Sequence, residues 1–176
     1  PMRVSIAVGA LTFYPIETTL AYAGASSADG VEVLVDRTVL TLGPEQVDRL
    51  ALARGAPILT VHSQLHFREK SLATKITDDV ASINFAAALP TCEAIVLHPP
   101  LTGQRPSADL NHWLEAISAA RARGPKPDLC LGIENRGENH DGTEQQYLDD
   151  PSRLRRVVEE WDMSITLDIE IGRAHV

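Results

Sequence analysis

The sequence is poor in aromatic residues, in cysteine and in positive charge, and each shortage narrows the class of protein. Phe, Trp and Tyr together make up only 5% of the 176 residues, so Val, Ile, Leu and Ala must fill most of the core, as in parallel sheets covered by helices. Cys92 and Cys130 stand far apart without a CxxC spacing, which indicates two buried thiols in a reducing compartment. The net charge of −8 disfavours a broad nucleic-acid surface, because such surfaces cluster Lys and Arg.

Long apolar runs are also missing. No stretch approaches the ~20 apolar residues that a membrane span needs, and the first residues lack the basic and then apolar order of a secretory signal. We therefore expect a cytoplasmic protein without a membrane partner. The sequence opens on Pro1 ahead of Met2 and stops at Val176 without a polar tail, so we also expect both ends to be cut.

The sequence does contain a regular alternation of strand-like and helical segments. Helical spacing fills the gaps between the strands. The second predicted helix, for example, begins at Pro44, turns Val47, Leu50 and Leu52 inward and stops at Gly55. Strand followed by helix, repeated in this way, predicts a parallel α/β architecture. The runs expected to be strands are almost continuously apolar, as strands buried on both faces should be: residues 4–8, 30–34, 58–62, 94–98, 129–134 and 165–168.

The predicted fold is a (β/α)8 TIM barrel that is incomplete, with about six βα units present. Eight units need about 250 residues, so residues 1–176 are expected to form a single barrel domain whose two C-terminal units are missing. The alternative is an open doubly wound sheet, which six strands can complete. Such a sheet usually carries a glycine-rich phosphate turn after its first strand, and residues 8–13 lack that pattern. The barrel is therefore favoured.

Ionisable residues end four successive strands: His62, His98, Glu134 and Asp168. A charged side chain at the end of an apolar strand is costly without a partner, and barrel enzymes carry their catalytic residues at this end of the strands. Packing or capping explains each residue taken singly, but their coincidence at one rim predicts a metal or substrate site. Imidazole and carboxylate together suit Zn²⁺, Mn²⁺, Fe²⁺ or Co²⁺, whereas Mg²⁺ prefers oxygen ligands alone.

The motifs around these residues resemble those of the xylose isomerase-like TIM barrels. That superfamily contains sugar and sugar-phosphate isomerases and epimerases, and also the type IV apurinic endonucleases. The resemblance extends over the whole sequence and rests on five short motifs in a fixed order: Asp29-Gly30-Val31-Glu32, Val61-His62-Ser63, Leu97-His98-Pro99-Pro100, Gly132-Ile133-Glu134-Asn135 and Leu167-Asp168-Ile169.

The resemblance implies a divalent metal, Mn, Zn, Co or Mg, with Glu134, Asp168, His98 and His62 as its ligands. Glu134 is also the implied catalytic base. His62 and His98 match positions that ligate metal in the endonucleases and more often face the substrate in the isomerases and epimerases. The remaining candidates for substrate binding are Glu32, Asn135 and His175.

The sequence departs from the family pattern after the sixth strand. The family usually reads Asp-x-Gly-His there, but residues 168–175 read Asp-Ile-Glu-Ile-Gly-Arg-Ala-His. Either two residues are inserted, or Glu170 takes the acidic position and Arg173 replaces the His. The His and Glu that a seventh and an eighth strand normally supply are absent as well. A polar stretch at 136–149 follows the fifth strand, and it is either a lid over the site or simply a mobile loop.

The function implied by the resemblance is metal-dependent isomerisation or epimerisation of a sugar or sugar phosphate, by proton transfer through an enediolate. One alternative is zinc-dependent cleavage of abasic DNA, with Arg68, Lys70 and Arg105 as phosphate contacts. The negative net charge of the chain makes nucleic acid a poor partner. The other is a barrel that only binds a small polyol. Because a barrel short of two strands has unpaired edges, we expect this chain alone to be inactive, and either unstable or associated, as in a homo-oligomer.

Overall fold

The computed structural model describes residues 3–9, 14–64, 71–100, 107–134 and 147–167. Within these ranges, strands and helices alternate along the chain, and one 3-10 turn (Tyr147–Asp149) precedes the last helix. The elements are β1 (Ser5–Val8), α1 (Ile16–Gly24), β2 (Gly30–Leu34), α2 (Arg37–Leu42), α3 (Pro44–Leu52), β3 (Ile58–His62), α4 (Leu72–Ala88), β4 (Ala94–Leu97), α5 (Ala108–Arg123), β5 (Cys130–Glu134), α6 (Pro151–Glu160) and β6 (Ser164–Thr166).

The six strands form one sheet in the order β1-β2-β3-β4-β5-β6, and every neighbouring pair is parallel. Each crossover between neighbours carries at least one helix, as parallel pairing requires. Sequential strand order with a helix at every step is the arrangement of a (β/α) barrel rather than of a doubly wound sheet, whose strand order reverses. The predicted fold class is confirmed for these six units, and β1 and β6 are the two edges of the described sheet.

Alternation along the strands separates two faces of the sheet. Val33, Val61, Ile95 and Leu131 are completely buried, and they face the helices that cover the sheet. The residues between them point to the opposite, inner face. Trp113 and the other apolar residues of α5 complete the core on the helical side. The position of a polar residue along its strand therefore decides which face its side chain occupies. Polar side chains at the strand ends that occupy the inner face lie close to one another.

Side-chain caps fix where several helices begin. Ser107 accepts a hydrogen bond from the backbone N–H of Leu110 at the start of α5, as its position before the apolar pattern predicts. Asp36 caps α2 in the same way by accepting from the N–H of Val39. Sequence reasoning missed α2 altogether, although Asp36 ahead of an apolar stretch is the signal that could have found it.

One apolar residue of α3 is exposed, contrary to the prediction. Val47 is buried and Leu50 packs against the core, as predicted, but Leu52 is 51% exposed rather than turned inward. Ala51 is the other buried residue of this helix. In a helix each residue turns about 100° from the one before it, so Leu52 lies well off the face that Val47 and Ala51 share. Gly55 ends this segment as predicted, because its φ of 69° is open to glycine at no steric cost.

Both edges of the described sheet expose apolar side chains. Val4 is 55% exposed beside β1, and Ile165 and Leu167 are exposed at β6. In the part of the chain that the structure describes, no helix has both the length and the apolar character needed to cross a membrane.

Candidate metal centre

Three predicted site residues lie at the C-terminal ends of neighbouring strands. His62 is the last residue of β3, His98 follows β4 directly, and Glu134 is the last residue of β5. Each directly follows a fully buried residue that faces the helices, namely Val61, Leu97 or Ile133. Successive side chains of a strand point to opposite faces, so all three point to the inner face. Leu97 pairs with Ile133 across β4 and β5, which places His98 beside Glu134.

The three side chains converge on one point. His98 Nε2 is hydrogen-bonded to Oε2 of Glu134, and His62 Nε2 lies 3.6 Å from the same oxygen. The two imidazoles meet edge to face, with ring centroids 4.9 Å apart and an interplanar angle of 87°. One ligand atom from each residue lies within 4.8 Å of the others. The predicted convergence of His62, His98 and Glu134 is therefore present in the structure.

The second nitrogen of His62 is already committed. Its Nδ1 lies 2.9 Å from the carbonyl oxygen of Ser63. The carbonyl oxygen can only accept, so Nδ1–H donates to it. That leaves Nε2 as the nitrogen that faces Glu134 and that can bind a metal once it has lost its proton. A hydrogen bond of this kind from the outer nitrogen fixes the tautomer and ring orientation of metal-binding histidines.

Mutual electrostatics keep Glu134 ionised. Burial acts to raise the pKa of this carboxyl, but hydrogen bonds from His62 and His98 outweigh it and lower the pKa to about 2. Burial likewise acts to lower the pKa of His62, and its hydrogen bond to Glu134 and the charge of Glu32 raise it on balance. The cluster therefore holds an anionic oxygen beside two imidazoles, a donor set that attracts a cation.

Glu32 stands next to this cluster without belonging to it. It lies on β2 between the buried Val31 and Val33, so its side chain shares the inner face. Burial raises the pKa of Glu32, the charge of His62 lowers it and that of Glu134 raises it. Glu32 is outside the group of three whose ligand atoms lie within 4.8 Å of one another.

The other predicted site residues lie outside the described residues. They are the proposed ligand Asp168 with its alternative Glu170, the substrate candidates Asn135 and His175, Arg173, and the phosphate candidates Arg68, Lys70 and Arg105. Most of the polar stretch at 136–149 lies outside as well, and only Tyr147–Asp149 at its end is described, as the 3-10 turn.

A cavity of about 640 Å³ opens at the other end of the sheet, away from the metal centre. Its charged groups are largely satisfied by one another or by the backbone. Arg3 pairs with Glu93, and Lys126 donates to three backbone carbonyls, those of Leu89, Pro90 and Cys92. This cavity is therefore a poor candidate for a catalytic site, and the cluster of His62, His98 and Glu134 is the better one.

Comparisons with known proteins agree with this architecture. No protein-family model and no curated protein sequence matches the chain. Among solved structures, an AP endonuclease of family 2 from Brucella melitensis is similar over 96% of this chain and 68% of its own length, with a TM-score of 0.63 and 11% identity. A xylose isomerase domain protein from Planctomyces limnophilus covers 94% of this chain and 63% of its own, with a TM-score of 0.63 and 14% identity. The chain shares the fold of these structures.

A third structure extends the comparison. The 3-keto-D-glucoside 4-epimerase of E. coli covers 95% of this chain and 67% of its own length, with a TM-score of 0.60 and 18% identity. The chain thus spans between 63% and 68% of the length of these three structures. At such identities the similarity concerns the fold, and the chemistry must be argued from the residues of this chain.

The residues present fit a divalent metal. Two imidazole nitrogens and one carboxylate oxygen form the protein donor set of catalytic zinc sites and of two-histidine, one-carboxylate iron sites, both of which leave positions open for water or substrate. His62 and Glu134 are 14% exposed at their side chains and His98 25%. The centre is therefore enclosed by protein and still accessible.

Proposed function

We propose that this chain contributes the metal centre of a divalent-metal-dependent isomerase or epimerase acting on a sugar or a related polyhydroxy carbonyl compound. The observation that carries the proposal is the convergence of His62, His98 and Glu134 within 4.8 Å at the C-terminal ends of adjacent barrel-type strands. Catalytic residues of such barrels belong at this end. The similarity to a sugar epimerase and to xylose isomerase-like structures supports the choice of substrate class.

His62, His98 and Glu134 are the proposed ligands, and Asp168 stays a prediction as a fourth. When bound, the metal polarises the carbonyl of the substrate and stabilises the negative charge that develops on its oxygen atoms. The residues of the chain position the substrate at this centre. Carbon–hydrogen bonds next to a carbonyl become acidic enough for a carboxylate to remove the proton, and Glu134 is the described carboxylate closest to both histidines.

A second function has weaker support. Cleavage of abasic DNA would use the same pair of histidines, and one of the similar structures is an AP endonuclease. The formal net charge of −8 opposes binding to a phosphate backbone, which gains its affinity from clustered Lys and Arg. We therefore rank it below the isomerase, on a level with a barrel that only binds a polyol.

The test is exchange of a substrate C–H proton with deuterated water. The complete polypeptide that carries this sequence is loaded with Zn²⁺, Mn²⁺ or Co²⁺ and incubated with a panel of ketoses, and NMR follows the loss of proton signal at the carbon next to the carbonyl. We expect exchange with at least one ketose and none after Glu134→Gln. Nicking of abasic DNA without any exchange would replace the proposal with the endonuclease.

A further inference from the structure

Glu32 places a second carboxylate on the inner face of the sheet beside the metal centre. Its strand, β2, neighbours β3, and Glu32 pairs in register with Thr60, two residues before His62. The two residues that flank Glu32 are completely buried against the helices, so its side chain has no other direction than inward. The carboxylate thus lies one layer below His62, on the side of the cluster away from Glu134.

This carboxylate has no hydrogen-bond donor among the described residues, although it is half-buried. A carboxylate accepts hydrogen bonds and cannot donate them when ionised, so in a partly enclosed site it favours a ligand that brings a donor. The described neighbours therefore leave the acceptor capacity of Glu32 for a group that comes from elsewhere. A sugar hydroxyl is a donor of this kind.

The local charge indicates what kind of molecule fits here. Glu32 and Glu134 bring carboxylates to this face, whereas the inner-face positions of the described strands β2 to β5 carry no Lys or Arg: residues 30, 32 and 34, residues 60 and 62, residues 94 and 96, and residues 130, 132 and 134. A phosphate group on this face of the four strands would therefore meet carboxylates and no ammonium or guanidinium group.

We propose that Glu32 is a specificity-determining residue, which accepts a hydrogen bond from a hydroxyl of an unphosphorylated, neutral polyhydroxy substrate and disfavours an anionic one at this end of the site. The inference rests on the proposed function, because it takes the cluster of His62, His98 and Glu134 as the place where the substrate binds. It adds the substrate class, which that cluster alone leaves open.

The experiment compares matched ligands on the complete polypeptide loaded with Mn²⁺. The probes are D-fructose, D-tagatose, D-xylulose and D-ribulose, each beside its terminal phosphate ester. Binding is measured by the broadening of ligand proton resonances near the bound Mn²⁺ and by calorimetry. Three proteins are compared: the unchanged chain, Glu32→Gln, and Glu115→Gln as a control on the exposed side of α5. Metal content is determined for each protein by elemental analysis.

We expect at least one free sugar to bind more tightly than its phosphate ester. Glu32→Gln should weaken binding of that sugar about 10-fold, the effect of losing one hydrogen bond to a charged acceptor, and should narrow the preference over the ester because Gln can donate to phosphate. Glu115→Gln should change neither the affinity for the free sugar nor the preference for it over the phosphate ester. The metal content should stay the same in all three proteins.

Other results separate the two proposals. An ester that binds as tightly as its parent sugar, an unaltered affinity in Glu32→Gln, or no binding by any member of the panel would each overturn the role of Glu32. Those outcomes leave the metal centre in place as long as metal is bound in stoichiometric amount. Failure of the unchanged chain to bind metal would instead overturn the proposed function.

Discussion

The imidazole of His62 lies 3.6 Å from the carboxylate of Glu134, although β4 stands between their strands. His98, at the end of β4, is hydrogen-bonded to the same carboxylate oxygen. Three adjacent parallel strands therefore each contribute one ligand atom to a single point. An ion at that point would link β3, β4 and β5, so metal binding and the stability of the sheet should depend on each other.

Removal of either imidazole should weaken metal binding. His62→Ala and His98→Ala each delete one of the three described ligand atoms. Loss of a residue that only hydrogen-bonds to a metal ligand already lowers metal affinity by about 10-fold or more, so we expect loss of a ligand itself to lower the affinity for Zn²⁺ by more than about 10-fold. Calorimetry with competing chelators measures the change. His112→Ala, on the exposed side of α5, is the matched control. Equal affinities in all four proteins would remove these histidines from the site.

Metal should stabilise the folded chain against urea. A ligand that binds only the folded state adds about 2.7 kcal/mol to the free energy of unfolding when its free concentration is 100 times its dissociation constant. We expect this gain with Zn²⁺, its reversal by a chelator, and its loss in a His98→Ala, Glu134→Gln double variant. An equal gain in the double variant would show that the metal acts elsewhere.

The metal-free cluster should stabilise the fold most at mildly acidic pH. The folded-state pKa of Glu134 is lowered to about 2, so its contribution is present above the ordinary value of 4.5 and is lost as the pH falls toward 2. The pKa of His62 is raised, so its contribution is present below the ordinary value of 6.5 and is lost as the pH rises through the raised value. Both contributions are present between pH 4.5 and 6.5.

Urea unfolding in the presence of a chelator measures this pH dependence. The difference in free energy of unfolding between the unchanged chain and Glu134→Gln should be largest between those two pH values and smaller at pH 3 and pH 8. A difference that stays constant over the whole range would mean that Glu134 does not interact with the imidazoles in the folded chain.

A buried ion pair within α4, which also accepts a hydrogen bond from α5, is predicted to matter for stability and not for metal binding. Asp79 is completely buried and accepts hydrogen bonds from Lys75 at 2.9 Å and from the indole nitrogen of Trp113 at 2.7 Å. Asp79→Ala leaves the ammonium of Lys75 without its partner, and we expect a loss of about 3–5 kcal/mol. A double variant, Lys75→Met with Asp79→Leu, should lose much less. If both variants lose the same amount, the pair itself is not the cause.

The sequence predicts the sheet and part of the centre because both depend on short-range patterns. Apolar runs of strand length give β2 and β3 their bounds, and parallel strands bring their ends to one rim. His62, His98 and Glu134 are recognisable because each directly follows an apolar residue at the end of a predicted strand. The three strands are parallel neighbours, so their C-terminal ends bring the three side chains together. Ser107 is likewise recognisable as the cap of α5, since its hydroxyl directly precedes a helical pattern.

The remaining features depend on tertiary contacts that periodicity does not encode. An apolar pattern in α4 does not reveal that Lys75 and Asp79 are buried, because their partner Trp113 comes from another helix. The inward orientation of Leu52 was wrong, since the choice among neighbouring apolar positions depends on what packs against α3. The hydrogen bond from His62 to the carbonyl of Ser63, which selects the ligating nitrogen, likewise has no signature in the sequence.

X-ray absorption spectroscopy of the zinc-loaded chain tests the central claim most directly. We predict one zinc per chain, scattering from two imidazoles and from oxygen ligands, and one imidazole fewer after His98→Ala. A zinc environment without imidazole scattering, or one that His98→Ala leaves unchanged, would contradict the assignment of His62, His98 and Glu134 as a shared metal centre.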